Sequence, residues 1–336
     1  MSGTGADAAD SHRRDLVVIG ASAGGVEALG MVTSGLPEDF PAAVVLVLHL
    51  MAGGRSMLPQ ILSRSGPLPA KVAEDGESLA AGHVFVASAD HHLLVNDGAL
   101  RVTRGPRENG HRPAIDPLFR SAAVARGARV IGVILSGLLD DGAAGLSSIK
   151  AHGGATVVQD PEDALFPSMP MAAIEATEID CCVSASEIAR ALLELVSEPV
   201  RWEERVTDEQ QPDRVQQDPS GLALVDGNPT PLSCPACGGA IWECLEGSVV
   251  RFTCQVGHAY SAQSMLQEQG SAVETAMWSA LRSLEERSQL LMRIARRQTR
   301  GSRTRFEHRA GEAEEHARRI REVLIDSAGA EVTAAE

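Results

Sequence analysis

From residue 15 to residue 197 the chain alternates short, almost unbroken apolar runs with longer stretches in which apolar residues recur three and four apart. The runs fall at 16–19, 41–48, 84–87, 93–95, 130–135 and 156–158, and helical stretches lie near 116–126, 142–152 and 184–196. Successive strand residues point to opposite faces, so a run that is apolar at every position needs cover on both sides. Such strands, separated by amphipathic helices, predict an α/β fold: a doubly wound, mostly parallel, Rossmann-like sheet over 15–197. Hydrophobic residues make up 44% of the chain but aromatics only 3%, so the predicted core is built from Val, Leu, Ile and Ala.

Outside this block the pattern changes. Residues 1–14 are expected to be disordered, and 198–231, rich in Asp, Glu, Gln and Pro, reads as a linker. A small cysteine-rich knuckle is expected at 232–262 and a helical hairpin or coiled coil at 268–328. In that last region Val273, Met277, Leu281, Leu284 and Leu291 form one stripe, and Phe306, Ala310, Ala313, Ala317, Ile320 and Leu324 a second, joined around Gly301. Each stripe is the buried face of an ordinary helix or, alternatively, a seam for a homo-oligomer.

The formal charge of −15 argues against a nucleic-acid partner, although 293–305 is locally basic. No apolar run is long enough to cross a bilayer, and 1–14 lack the apolar core of a signal peptide. A cytoplasmic location without membrane insertion is therefore expected, where six cysteines argue against a disulfide framework.

The first predicted strand runs into Gly20-Ala21-Ser22-Ala23-Gly24-Gly25 and then a helix, the G-x-S-x-G form of a nucleophile elbow. Small neighbours let a tight turn expose the serine hydroxyl, and N–H groups at the helix start face a developing oxyanion. A glycine turn that only packs helix on strand is one alternative. A dinucleotide loop is another, but it wants an acid at the end of the second strand, which here ends Val47-Leu48-His49.

A serine hydroxyl needs a base, and the base needs an orienting carboxylate. His49 ends the second apolar run, at the sheet edge where the elbow lies. Asp140 and Asp141 follow the run at 130–135, again at a carboxyl end. One of the two is expected to orient His49 and the other to cap the next helix. The order Ser, His, Asp differs from that of α/β-hydrolases, which place the acid before the histidine.

These residues, with Ala73-Glu74-Asp75-Gly76, His111-Arg112-Pro113-Ala114-Ile115-Asp116-Pro117-Leu118-Phe119, Gln159-Asp160-Pro161 and Phe166-Pro167-Ser168-Met169-Pro170, resemble the catalytic domain of the chemotaxis protein-glutamate methylesterases, CheB. The resemblance implies a serine hydrolase that cleaves glutamate γ-methyl esters on chemoreceptors or related signalling proteins, with glutamine deamidation as a second activity. It implies Ser22 as nucleophile, His49 as base and Asp141 as orienting acid, with no cofactor for catalysis. Ala23 and Leu138 then belong to the oxyanion and substrate loops, Leu138 through its backbone N–H. Arg112 is a candidate contact for an acidic substrate helix, and Met169 a candidate cleft residue for which packing is the simpler role. His111 is expected to be structural. A methylated receptor is the implied partner, with a methyltransferase or kinase beside it. Familiar members also carry an N-terminal phosphoacceptor domain, whereas only about fourteen residues precede the first strand here.

Downstream, Cys234-Pro-Ala-Cys237 pairs with Cys254 and His258 as a set of four ligands suited to structural zinc, with Cys244 as the alternative to His258. A closed four-ligand site leaves no position for catalysis. Cys181 and Cys182 are expected in the core. If the triad is not used, the second function class is a non-enzymatic signalling adaptor that binds partners through the zinc and helical tail.

Overall fold

The computed structural model describes residues 12–49, 57–96, 98–200, 216–217, 223–224, 227–246 and 249–334. These fall into two units, Met1–Met265 and Leu266–Glu336.

The first unit is built on a seven-stranded sheet. Its strands are β1 (Leu16–Ala21), β2 (Ala43–Leu48), β3 (Ala70–Val72), β4 (Val84–Val86), β7 (Val130–Ile134), β8 (Ala155–Gln159) and β9 (Cys181–Val183). A separate antiparallel hairpin pairs β5 (His92–Asn96) with β6 (Ala99–Thr103). The order across the sheet is β9-β8-β7-β1-β2-β4-β3, parallel throughout. The predicted doubly wound fold is therefore present. Winding reverses beside β1, and that reversal opens a crevice at its carboxyl end.

The apolar runs supply both faces, as expected. Val17, Ile19, Val44 and Leu46 pack under α1 (Gly25–Ser34), α2 (Leu58–Ser65) and α6 (Ala185–Ser197). Val18, Val45 and Phe85 face the opposite way, against α3 (Ile115–Arg126), α4 (Ala143–Ala151), α5 (Ser168–Ala176) and the β5–β6 hairpin. The short edge strand β3 escaped sequence reading because Lys71 and Val72 are exposed and leave no apolar run. Of the two cysteines expected in the core only Cys181 reaches it: β9 is the other edge, Cys181 is half-buried and packs against the α1–α6 face, and Cys182 is exposed.

The N-terminal expectation of disorder falls mostly outside the described residues, but His12–Arg13 pairs with Pro199–Val200 as a small antiparallel ladder. Within the expected linker, Gln216–Gln217 pairs with Ala223–Leu224, while 201–215, 218–222 and 225–226 lie outside the described residues. The cysteine region begins earlier than 232. It is a four-stranded antiparallel ribbon of β10 (Asn228–Ser233), β11 (Ala240–Glu246), β12 (Val249–Cys254) and β13 (Ala259–Ser261). Pro229 and Pro231 disguised β10, and prolines are tolerated there because β10 is an edge strand.

Leading into and filling the second unit, α7 (Ala262–Ala295) and α8 (Arg300–Ala334) form a hairpin that extends beyond the expected 268–328 at both ends. The break falls at 296–299, so Gly301 lies within α8. Leu281, Ala317 and Leu324 bury against one another, with Met277, Leu284 and Ile320 around them, so the two stripes face each other within one chain. No helix among the described residues is long and apolar enough to cross a membrane.

Leu46, fully buried in a strand with neighbours on both sides, anchors the α1 face of the sheet. Truncation by Leu46→Ala is expected to cost about 2–5 kcal/mol, read as a lower urea midpoint at unchanged slope.

Candidate active site

Three neighbouring strand ends meet at the crevice. Ser22 follows β1, His49 follows β2, and the loop carrying Asp141 follows β7. Backbone bonds lace them together: Ser22 N–H to Ser136 O at 3.0 Å, His49 N–H to Ala21 O at 3.2 Å and Leu135 N–H to Gly20 O at 2.9 Å. The turn after Ser22 needs its glycines. Gly24 sits at φ 71°, and a Cβ there would lie 2.8 Å from Ser136 Oγ. A Cβ on Gly137 would lie 2.0 Å from Met169 Sδ and 2.8 Å from Ser22 Cβ.

The three sequence-predicted side chains are brought together. Ser22 Oγ lies 3.0 Å from His49 Nδ1, and His49 Nε2 lies 2.7 Å from Asp141 Oδ2. A carboxylate only accepts, so the imidazole proton resides on Nε2 and leaves the Nδ1 lone pair for the serine hydroxyl. The ring is reversed relative to the Ser-His-Asp template, in which Nε2 faces the serine, but the proton relay is equivalent.

Asp141 is 2% exposed and held from several sides. Its Oδ2 accepts the Ile115 N–H at 2.7 Å, and its Oδ1 accepts the Asp116 N–H at 3.2 Å and Asn109 Nδ2 at 2.9 Å. The two N–H groups belong to the first turn of α3, where helical N–H groups have no partner of their own. Burial alone would raise the Asp141 pKa; the hydrogen bond to His49, with the helix N–H of Ile115, holds it well below the usual carboxylate range.

Neither Asp140 nor Asp141 caps α4 with its side chain. Asp116 does so from α3, its Oδ1 accepting the Gly142 and Gly145 N–H groups at 3.1 and 2.7 Å. Burial and then the neighbouring Asp141 charge push the Asp116 carboxyl up to about 7. Asp140 is instead bonded by Ser261 Oγ at 2.7 Å.

Leu138 is 52% exposed. Among the described residues the N–H groups of Ala23 and Leu138 have no acceptor. Arg112 is engaged within the protein. Its guanidinium is bound to Asp90 Oδ1 at 2.6 and 2.9 Å and to Gly105 O at 2.7 Å. Met169 is 1% exposed and packs beneath Gly137, so it supports the loop from below.

Three residues drew no individual role from the sequence. Asn109 bridges Asp141 and Asp116; Asp116 caps α4; and Gln159 accepts the Ser136 N–H at 2.9 Å, bracing the loop beside the elbow. The Asn-Gly pair at 109–110 signals only a turn. Its backbone is strained, with Asn109 at φ 50°, and that is not visible in composition. His111 is closer to the chemistry than its expected structural role implied: its ring stacks on His49 with centroids 3.7 Å apart. Burial, and then the His49 charge, lower its pKa to about 4.

In the ribbon, Cys234, Cys237, Cys254 and His258 gather their ligand atoms within 4.8 Å of one another. Cys237 Sγ and Cys254 Sγ are 3.7 Å apart, and His258 Nδ1 lies 3.7 Å from Cys234 Sγ and 3.5 Å from Cys254 Sγ. A tetrahedron with Zn–S bonds of about 2.3 Å has edges of about 3.8 Å, so the donor set fits a zinc ion. Cys244 is outside the cluster, beside Arg251 O and Thr253 Oγ1.

The family model of CheB methylesterase matches residues 17–192 and ends before the cysteine ribbon. A protein-glutamate methylesterase/protein-glutamine glutaminase 2 of Anaeromyxobacter dehalogenans is 41% identical over 187 residues, 56% of this chain and 55% of that protein. A putative protein-glutamate methylesterase/protein-glutamine glutaminase of Leptospira interrogans is 40% identical over 54% of this chain and 94% of that protein. The match thus spans about half the length of some curated relatives and nearly all of others. The crystal structure of the Thermotoga maritima CheB methylesterase catalytic domain superposes with a TM-score of 0.52 at 35% identity, covering 54% of this chain and 98% of that one.

His111 binds a proton less readily in the fold, at about 4, than in the unfolded chain, at 6.5. Between these values the unfolded state holds more protons, so the stability His111 contributes at neutral pH is lost as pH falls from 6.5 towards 4. Urea unfolding at pH 7 and 4.5 is expected to show His111→Phe losing less stability on acidification than the wild type, by on the order of 2 kcal/mol. An equal loss in both proteins counts against the buried neutral imidazole.

Proposed function

The chain belongs to the CheB methylesterase family, and on that premise we propose that it hydrolyses glutamate γ-methyl esters on a methylated chemoreceptor or related signalling protein. The observation that carries the reading is the hydrogen-bonded line from Ser22 through His49 to a buried Asp141, at the crevice of a doubly wound sheet.

Ser22 Oγ attacks the ester carbonyl while its proton passes to His49 Nδ1. Asp141, hydrogen-bonded to Nε2, stabilises the imidazolium that forms. The carbonyl oxygen, now negative, is met by the N–H groups of Ala23 and Leu138. Collapse breaks the bond to methoxide, which takes the proton from Nδ1 and leaves as methanol. Water then adds to the γ-glutamyl ester of Ser22 by the same proton relay, restoring the serine and releasing a glutamate carboxylate. With glutamine in place of the ester, ammonia is the first leaving group and the product is the same.

The ribbon is proposed to hold a structural zinc through Cys234, Cys237, Cys254 and His258. When bound, the ion ties the β10–β11 turn to the β12–β13 turn and leaves no open position for a reacting group. An adaptor without catalysis finds less support, because it has no use for a serine aligned with a base and a buried acid.

Ser22→Ala is expected to abolish methanol release from methylated receptor while leaving the fold intact. Asp141→Asn is expected to leave a residual rate, with kcat lower on the order of 10⁴-fold, the scale seen when the base is held in the wrong tautomer. If the wild type releases no methanol from any methylated receptor offered, the reading fails. Elemental analysis of the full-length protein should find about one zinc per chain, and Cys237→Ser should lose it; zinc retained in that variant rules out the four-ligand set.

A further inference from the structure

The C-terminal ribbon lies against the loop that supports Asp141. Glu108 bridges to Ala259, and the Asn109 N–H donates to Ala259 O at 2.8 Å. The Asn109 carboxamide then spans the two halves of the unit. Its Nδ2 donates to Asp141 Oδ1 and to Asp116 Oδ2, each at 2.9 Å. Its Oδ1 accepts the Ser261 N–H at 2.9 Å and Ser264 Oγ at 3.0 Å. A backbone N–H can only donate, so it holds the amide with its oxygen towards the ribbon and its two N–H bonds towards the carboxylates. The same loop carries His111, which stacks on His49.

Arg251, on β12, answers the remaining charge. It is 4% exposed and reaches Asp116 Oδ2 at 3.1 Å, Glu108 Oε2 at 2.6 Å and Glu246 Oε2 at 3.1 Å. Asp116 and Asp141 are two carboxylates buried side by side, a placement that is costly unless a cation and good donors face them. Burial alone would raise the Glu108 pKa, and the guanidiniums of Arg120 and Arg251 hold it below the usual value. Asp116 has its Oδ1 committed to the N-terminus of α4. Its Oδ2 is left for Asn109 and Arg251.

We infer that the cysteine ribbon is a working part of the esterase site: Arg251 and the Ser261–Ser264 turn act as positioning residues that hold Asn109 and Asp116, and through them the carboxylate of Asp141. The inference rests on the proposed roles of Ser22, His49 and Asp141. It adds that the region beyond the family match is needed to aim the base. None of these ribbon residues touches the reacting atoms, so their loss acts on the rate of Ser22 attack rather than on substrate binding.

The test compares full-length wild type, Arg251→Gln, Arg251→Lys, Ser264→Ala and Asn109→Gly, the last chosen because glycine accepts the positive φ of residue 109 without strain. Two readouts are taken: the rate at which a fluorophosphonate labels Ser22, and kcat and KM for p-nitrophenyl acetate. Arg251→Gln and Asn109→Gly are expected to slow labelling and lower kcat on the order of tenfold to a hundredfold with KM unchanged. Arg251→Lys should restore part of the loss, because a single ammonium answers one carboxylate where the guanidinium answers three. Where Arg251→Gln fails to fold, Asn109→Gly and Ser264→Ala carry the comparison, Ser264→Ala with the smaller loss. Variants that label as fast as a labelled wild type overturn this inference alone. A wild type that does not label at Ser22 overturns the esterase reading with it.

Discussion

The site turns on one buried carboxylate. Asp141 gives up almost all contact with water, and four donors take the place of that water: the imidazole of His49, two N–H groups from the first turn of α3, and the amide of Asn109. Without them burial would favour the protonated acid, which cannot stabilise an imidazolium. The helix start is the cheapest of these donors, because its N–H groups have no partner within the helix. Much of the surrounding architecture follows from bringing that helix end to this place. The Ile115 side chain fills the space beside Gly20, where a Cβ would lie 2.4 Å from it, so the elbow and the helix that holds the acid are packed as one piece.

The fold was legible in the sequence wherever a strand is buried on both faces. The runs that became β1, β2, β7 and β8 stand out because every residue on them is buried and almost all are apolar. Legibility failed at the edges. Strands β3, β9 and β10 expose much of their surface, and their residues look like loop. The expectation that Cys182 is a core residue failed for the same reason, and Cys181 is only half-buried, because their strand lies at the limit of the sheet.

The site was legible where chemistry and strand ends coincide. Ser22, His49 and Asp141 each follow an apolar run, and a parallel sheet brings those ends to one rim. What stayed hidden are the polar residues that act on other residues. Asp116 reads as the first-turn acid of its own helix, yet its carboxylate caps α4 instead. Asn109 reads as half of a turn. Arg112 reads as a free cation, but Asp90, 22 positions away, claims it. Pairings across such separations depend on how the chain returns on itself, which local pattern does not encode.

The ribbon meets the α/β sheet domain through a buried arginine that pairs with Glu108 and Asp116, and through the hydrogen bonds of Asn109, a contact made of polar groups and not of grease. Apolar faces part with a penalty that grows with the area wetted, whereas removing one side of a buried ion pair leaves an uncompensated charge behind. A boundary drawn at residue 192, where the family match ends, would remove Arg251 and leave Glu108 and Asp116 beside Asp141 without that partner. In this chain the family match ends at residue 192 and the compact unit that contains the ribbon ends at residue 265, roughly seventy residues further on.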